Sequence, residues 1–323
     1  MDTPALAADK LPYLSGAFLD LLKISSLDLV SEIERQIIGQ RRGEVWCAPK
    51  AVVLPGDDRY IMATLGVASE PRVLATKALV TNPRNAKRGL ATLNSLITLL
   101  DSETGLPLAL VDGNWVTAKR TAGLSAVAAK RLARSDSSSA AFIGCGVQAR
   151  SHLEVFSDFF PLREIRAFGR GSANRDALCR LAASRGIKAV PCDTAMAAVQ
   201  GADIVVTTVT LVPPPVPFLD VRWLAAGSFV TMTDLALPWV PEAMQLFDRI
   251  VIDDLAQEAT MSKPLIRPEL VAGDLTGLVC GDVAGRQSKS ERTTFAFRGL
   301  AVGDLALAGL PYGRAKAIGA LET

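Results

Sequence analysis

Apolar residues along the chain change their spacing twice, and each change marks a different kind of element. Leu29, Ile33 and Ile37 recur every fourth residue within 27–42, which predicts an amphipathic helix, and Gly43 after it suits the left-handed residue that closes one. From residue 50 the runs become short and strand-like, at 50–54, 60–65, 73–80, 93–101 and 106–112. Ser102-Glu103-Thr104-Gly105 separates the last two and reads as a hairpin turn. Strands so close together predict an antiparallel or mixed sheet, because parallel neighbours need a long crossover. An Ala- and Leu-rich stretch over 117–134 predicts a helix, and the polar Ser135-Asp136-Ser137-Ser138-Ser139 after it is expected to be a domain hinge.

Beyond residue 139 strand and helix alternate. Ala140-Ala141-Phe142-Ile143 is a buried-strand run, followed by glycines and a helical stretch to about residue 159. Strands are expected at 164–168, 188–192, 202–209, 228–233 and 249–253, with helices over 173–185 and 194–200. That alternation predicts a parallel, doubly wound sheet. The tail, 299–321, is Ala-rich and helical again. The expected fold class is therefore α/β, a Rossmann-type doubly wound parallel sheet plus a mixed α+β domain.

Composition narrows the function. At roughly 100–200 residues per domain, 323 residues imply two domains. Lys+Arg number 35 against 33 Asp+Glu, which gives no electrostatic case for nucleic acid or an anionic membrane. A single histidine, His152, excludes a His-rich metal site, so no metal is expected and acid–base work falls to Lys, Asp, Glu or Tyr. His152 itself reads as an exposed or half-buried helix residue. Five widely spaced cysteines without a CxxC pair indicate reduced thiols rather than a disulfide framework. Met1-Asp2-Thr3-Pro4 lacks a basic-then-apolar secretory start, and no apolar run nears the roughly 18 residues of a membrane span, so a soluble, cytoplasmic protein is expected.

The sharpest local signal is Gly144-Cys145-Gly146-Val147-Gln148-Ala149, a G-x-G-x-x-A run that leaves a strand and opens a helix. Gly144 permits the tight turn, Gly146 lets backbone approach a pyrophosphate, and Ala149 allows close helix–strand packing. The helix N-terminus, with Val147 and Gln148 in its first turn, favours phosphate. An NAD fingerprint would place a carboxylate roughly 20 residues on. Phe168-Gly169-Arg170-Gly171-Ser172 carries none there, and Arg170 with Ser172 suits a 2′-phosphate, so NADP(H) is expected over NAD(H).

Further motifs point to a family. They are Thr104-Gly105-Leu106-Pro107-Leu108-Ala109-Leu110-Val111-Asp112-Gly113, Val116-Thr117-Ala118-Lys119-Arg120-Thr121-Ala122 and the glycine turn itself. Lys77 in a strand, Gly89-Leu90-Ala91-Thr92 and Gly299-Leu300-Ala301-Val302-Gly303-Asp304 add to them. Together they resemble the ornithine cyclodeaminase/mu-crystallin family over nearly the whole chain. The resemblance implies a substrate-binding and dimerisation domain from residues 1–118 with 305–323, and a Rossmann domain from 119–304. It also implies a homodimer, and a small amino-acid or imino-acid substrate held between the domains beside the nicotinamide.

Residue roles follow from the same likeness. Arg120 matches the arginine that clamps the substrate carboxylate, for which a guanidinium fork is suited, and its place early in a helix would add a favourable dipole. Lys77 is implied to contact substrate and to manage the nitrogen proton. Its apolar neighbours in the strand require that it be paired or project into a cleft. Lys50 stands where many relatives carry an arginine, keeping the charge without the fork, and Thr92 matches a threonine near the site. Thr121 and Thr208 complete the expected cofactor contacts. Asp304 reads equally as a structural or a catalytic carboxylate. Val212-Pro213-Pro214-Pro215-Val216-Pro217 reads as a stiff loop, either a wall of the cofactor site or a spacer.

One departure bears on activity. Family cyclodeaminases carry a catalytic aspartate two residues before a proline, with a glutamate four residues after it. Pro238 and Glu242 put Ala236 at that position. Asp234 lies two residues earlier and, in an extended chain, would point to the same side, so it is kept as a catalytic candidate. The leading expectation is an NAD(P)H-dependent reductase of an imino acid or cyclic ketimine, the reverse being amino-acid dehydrogenation. The alternatives are a cyclodeaminase of ornithine or a related diamino acid using catalytic NAD+, and a non-catalytic small-ligand-binding protein.

Overall fold

The computed structural model describes residues 11–210 and 215–321. Met1-Asp2-Thr3-Pro4, and Val212, Pro213 and Pro214 of the proline run, lie outside them. The chain divides into two compact units, Met1–Arg120 with Ala301–Thr323, and Thr121–Leu300. No helix among the described residues is long and apolar enough to cross a membrane.

The first unit runs β1 (Tyr13–Leu14), α1 (Gly16–Leu21), α2 (Ser26–Arg42), β2 (Val45–Cys47), β3 (Ala51–Val53), β4 (Tyr60–Ala68), β5 (Val73–Thr81), β6 (Leu93–Leu100) and β7 (Pro107–Asp112). Helix α3 (Gly113–Leu132) carries the chain onward. Ser25 and Asp28 form a capping box on α2, and Gly43 closes it at φ 71°, as the pattern predicts. The sheet is mixed. Its order is β1-β7-β6-β5-β4-β2, with β3 also on β4, and β1 is parallel to β7 while the other pairs are antiparallel.

Side chains alternate across this sheet with period two. Val73, Ala75, Lys77 and Leu79 of β5 face inward with Ile97 and Leu99 of β6. The C-terminal helix α9 (Ala301–Ala317) packs on β4, β5 and α2 and covers that face. Its close approach needs Gly66, where a Cβ would come within 3.3 Å of Leu305 Cβ. Among the described residues no such helix covers the opposite face. Leu65 is 41% exposed, Val80 37% and Leu96 41%, with Thr76, Ala78 and Thr98 beside them in register.

The second unit runs β8 (Ser139–Ile143), α4 (Val147–Phe159), β9 (Glu164–Phe168), α5 (Ser172–Ser184), β10 (Lys188–Pro191), α6 (Ala195–Val199), β11 (Ile204–Thr207) and β12 (Phe229–Met232). It continues with β13 (Arg249–Ile252), α7 (Leu255–Ala259), β14 (Val271–Asp274), α8 (Leu275–Cys280) and β15 (Thr293–Ala296). All eight strands are parallel, in the order β10-β9-β8-β11-β12-β15-β13-β14. Two strands on one side of β8 and five on the other make the expected doubly wound sheet, and the order reverses beside β8.

Three expectations need correction. Residues 135–139 are no hinge. They lie inside the second unit, where Asp203 accepts from the Ser138 and Ser139 N–H groups and pairs with Arg134. His152 is fully buried rather than exposed or half-buried. Helix α3 begins at Gly113, because the Asp112 carboxylate accepts from the Asn114 and Trp115 N–H groups and caps it. Arg120 therefore sits about two turns into the helix, where the terminal dipole no longer acts.

Candidate functional site

In the first unit a buried polar cluster interrupts an apolar core. Lys77 stands on the inward face of β5, opposite Thr64 of β4 and Ile97 of β6 in register, and none of it reaches solvent. Its Nζ donates to Asp304 Oδ1 at 2.6 Å and lies 3.5 Å from Thr117 Oγ1. Thr64 Oγ1 donates to Asp304 Oδ2 at 3.0 Å. Asp304 belongs to the first turn of α9, where the helix dipole favours a negative charge.

Arg120 approaches from α3. Its Nε is 3.2 Å from the same Asp304 Oδ1, but without the alignment of a hydrogen bond. Arg120 is only 7% exposed. Two buried cations thus share one carboxylate. Burial pushes the Lys77 ammonium down to about 8, with Arg120 and Lys50 adding repulsion and Asp304 opposing the shift. Such a cluster holds surplus positive charge in a poorly solvated place and attracts an anion. A carboxylate fits best, since a guanidinium with unoccupied donors binds one in a fixed plane.

Lys50 is half-buried and close enough to repel Lys77, although its own side chain is otherwise engaged. Thr92 is exposed. Its carbonyl accepts from Asn82 N–H, and among the described residues no hydrogen bond joins its hydroxyl to the cluster.

The second unit holds a cleft at the reversal of its sheet, with a volume of about 430 Å³. Gly144, Gly146, Arg170 and Thr208 line it, as do Asn174 and Phe218. Gly144 takes φ 88°, and a Cβ there would sit 2.5 Å from the Thr208 carbonyl oxygen. Gly146 is the N-cap of α4 and offers no side-chain cap, and a Cβ on it would meet nothing within 4 Å. The open space lies directly before a helix whose first N–H groups lack that partner, which suits a pyrophosphate. Ala149 is fully buried against the sheet. Both glycines thus leave room for a close-lying group at the start of α4.

Other cofactor candidates scatter. Val147 and Gln148 occupy the first turn of α4, Ser172 is the exposed first residue of α5, and Thr121 is buried in α3; none of them lines the cleft. Arg170 is exposed, and among the described residues it makes no ion pair and no carboxylate lines the cleft. Asn174 and Phe218 were not foreseen, since neither type is diagnostic.

Asp234 behaves differently from its expectation. Leu235 and Ala236 take φ 58° and 55°, so the chain turns there, and the extended geometry that would align Asp234 with Ala236 does not occur. Asp234 is buried, and its two oxygens accept from Thr207 Oγ1 at 2.9 Å and Val209 N–H at 3.0 Å. Burial pushes its carboxyl up to about 6 against those two hydrogen bonds. It braces the end of β11.

Comparison with known proteins gives these sites a context. A sequence profile described as the ornithine cyclodeaminase/mu-crystallin family matches residues 21–318. The chain belongs to that family. It is 30% identical over 244 residues to the ketimine reductase mu-crystallin of Rattus norvegicus, covering 74% of this chain and 75% of that one. Among solved structures, Δ1-pyrroline-2-carboxylate reductase of Thermococcus litoralis, in complex with NADH and L-proline, superposes with a TM-score of 0.87. It is 26% identical and the match covers 96% of this chain and 98% of that one. An archaeal alanine dehydrogenase dimer with bound NAD superposes at 0.85 and 27% identity, covering 96% and 97%.

Proposed function

We propose that this family member reduces a carbon–nitrogen double bond next to a carboxylate, in an imino acid or cyclic ketimine, at the expense of a nicotinamide coenzyme. The reverse reaction oxidises an amino acid. The observation that carries the reading is the buried Arg120 guanidinium, drawn to Asp304 yet not hydrogen-bonded to it, next to a buried lysine. In this reading the unit built from Met1–Arg120 and Ala301–Thr323 binds substrate, and Thr121–Leu300 binds coenzyme.

The residues divide the work. Arg120 grips the substrate carboxylate with two parallel N–H bonds and fixes its plane, which holds the neighbouring imine carbon at near-attack distance. Lys50 adds attraction for the anion. Lys77 gives a proton to the imine nitrogen as that nitrogen gains electron density. Gly144, Gly146 and the start of α4 hold the pyrophosphate. When bound, the reduced coenzyme supplies the hydride, so that one hydride and one proton convert C=N into CH–NH.

Two finer points belong to the same proposal. The coenzyme is NADP(H) in preference to NAD(H), supported by the unengaged Arg170 and the lack of a carboxylate lining the cleft. The protein is a homodimer, supported by the uncovered apolar face around Leu65, Val80 and Leu96.

A panel assay tests the whole. Purified protein is offered NADH or NADPH with pyrroline- and piperideine-carboxylates, pyruvate plus amines, and ornithine. Coenzyme oxidation with an imino acid is expected. Ammonia release from ornithine with catalytic NAD+, and no imine reduction, would overturn the reading. The Lys77 value of about 8 also sets a pH pattern. Reduction needs the ammonium and declines above about pH 8, whereas amino-acid oxidation needs the free amine and rises there. Initial rates in both directions between pH 6 and 10 check this.

A further inference from the structure

Asp304 is the carboxylate that both buried cations pair with, and neither the reaction nor the fold alone accounts for its arrangement. We propose that Asp304 is a positioning residue that keeps Lys77 in its ammonium form while leaving the Arg120 fork open for the substrate. This rests on the reductase reading above and adds a residue to it.

The geometry carries the argument. Asp304 is 2% exposed and lies on an otherwise apolar stretch of α9, with Val302, Leu305, Ala306 and Leu307 buried around it. A buried ion pair gives little net stability compared with apolar packing of the same volume, so its presence is better explained by the charge it imposes. Its oxygens are not shared evenly. Oδ1 takes the Lys77 ammonium at 2.6 Å and Oδ2 takes the Thr64 hydroxyl at 3.0 Å. Thr64 thereby fixes the rotation of the carboxylate and aims Oδ1 at Lys77. Arg120 Nε is left at 3.2 Å and misaligned, so the guanidinium has its charge balanced while its Nε–H has no hydrogen-bond partner among the described residues.

The groups facing Lys77 come from four directions. Thr64 lies across from it on β4, Thr117 and Arg120 on α3, Asp304 on α9, and Lys50 before β3. Asp304 alone among them attracts a proton to Lys77. Its removal turns every remaining charge against the ammonium.

Asp304→Asn tests this through the pH profile. With NADPH and Δ1-pyrroline-2-carboxylate, the alkaline limb of kcat is expected to move down by about one pH unit or more, and kcat at pH 8 to fall about tenfold. At a pH below the shifted limb, where Lys77 is still an ammonium, KM should change less than about threefold, because the Arg120 fork stays available. Asp304→Glu should return the limb toward its original position. A limb that does not move, or a loss that is uniform across pH, would overturn the proposal. If Asp304→Asn does not fold, Thr64→Val keeps the charge and frees its rotation, and a smaller shift in the same direction is expected; no shift counts against the idea.

A second readout separates this claim from the reaction. Calorimetric binding of pyrrole-2-carboxylate, an unreactive planar carboxylate, to the coenzyme-loaded protein should weaken as Lys77 loses its proton. The weakening should occur at lower pH in Asp304→Asn. If that shift appears while no imino acid is turned over, the reductase reading fails and the role of Asp304 stands. If turnover persists and neither limb moves, the role of Asp304 alone fails.

Discussion

Arg120 and Lys77 carry equal charge and very different chemistry. The guanidinium stays protonated and offers a planar fork, and the ammonium can lose its proton near neutrality when buried. Arg120→Lys keeps the charge and loses the fork. KM for the imino acid is expected to rise about 10–100-fold, the equivalent of roughly 1.5–3 kcal/mol for a charge-assisted hydrogen bond. Steady-state kinetics on a variant with unchanged Tm would check it. Arg170→Ala should leave NADH turnover nearly unchanged and reduce the preference for NADPH about tenfold or more, read from the ratio of kcat/KM for the two coenzymes. The placement of Arg120 on a helix and of Arg170 beside the glycine turn was legible in the sequence because each sits in a short motif. The pairing of Lys77 with Asp304 was not, since 227 residues separate them. The signal available was a lone charge in the apolar run from Gly299 to Leu310, which must find a buried partner. Asp234 misled for a local reason: two consecutive left-handed residues cancel the alternation on which its alignment with Ala236 depended.

At the scale of elements, the strand–turn–helix of β8 and α4 is the part of the site most directly encoded by nearby residues. Gly144→Ala is expected to cost about 1–3 kcal/mol in strain, because the left-handed backbone is unfavourable for alanine. The clash of its methyl with the Thr208 carbonyl should also abolish coenzyme binding, which thermal unfolding and fluorescence titration with NADPH would report. Behind that turn, His152 ties α4 to its neighbours. Its Nδ1 lies 2.7 Å from the Gln148 carbonyl and its Nε2 2.9 Å from Ser125 Oγ, which in turn lies 2.8 Å from Thr231 Oγ1 on β12. In the neutral ring Nδ1–H donates to the carbonyl and Nε2 accepts from the serine. Burial pushes the imidazole down to about 4. A lowered histidine value stabilises the fold fully above its ordinary 6.5, and the contribution is lost as pH falls through about 4. The loss is on the order of 3 kcal/mol. Tm should therefore fall between pH 6.5 and 4, and the fall should be shallower in His152→Gln. The start of α3 was missed because Asp112-Gly113 reads as a turn, whereas the aspartate caps a helix there.

For the molecule as a whole, the mixed sheet was legible from short alternating runs, while β1, β2, β14 and β15 were not. β1 and β2 are two and three residues long, too short for a period to register, and β14 (Val271-Ala272-Gly273-Asp274) and β15 (Thr293-Thr294-Phe295-Ala296) lack the continuous apolar run that marks β11. The sheet's uncovered face is where self-association is expected. Leu65→Arg with Leu96→Arg should convert a dimer to a monomer in sedimentation velocity, since two charges would be buried against apolar neighbours. Unchanged mass would remove the dimer from the proposal. The return of α9 has a consequence for how the chain is made. Thr121–Leu300 is contiguous and is available to fold while the ribosome is still translating. The sheet unit, begun first, waits for α9 to emerge before Lys77 acquires its counter-ion. The part of the chain that is made first is thus completed last, and until then a nascent lysine is left without a partner in an unfinished hydrophobic layer.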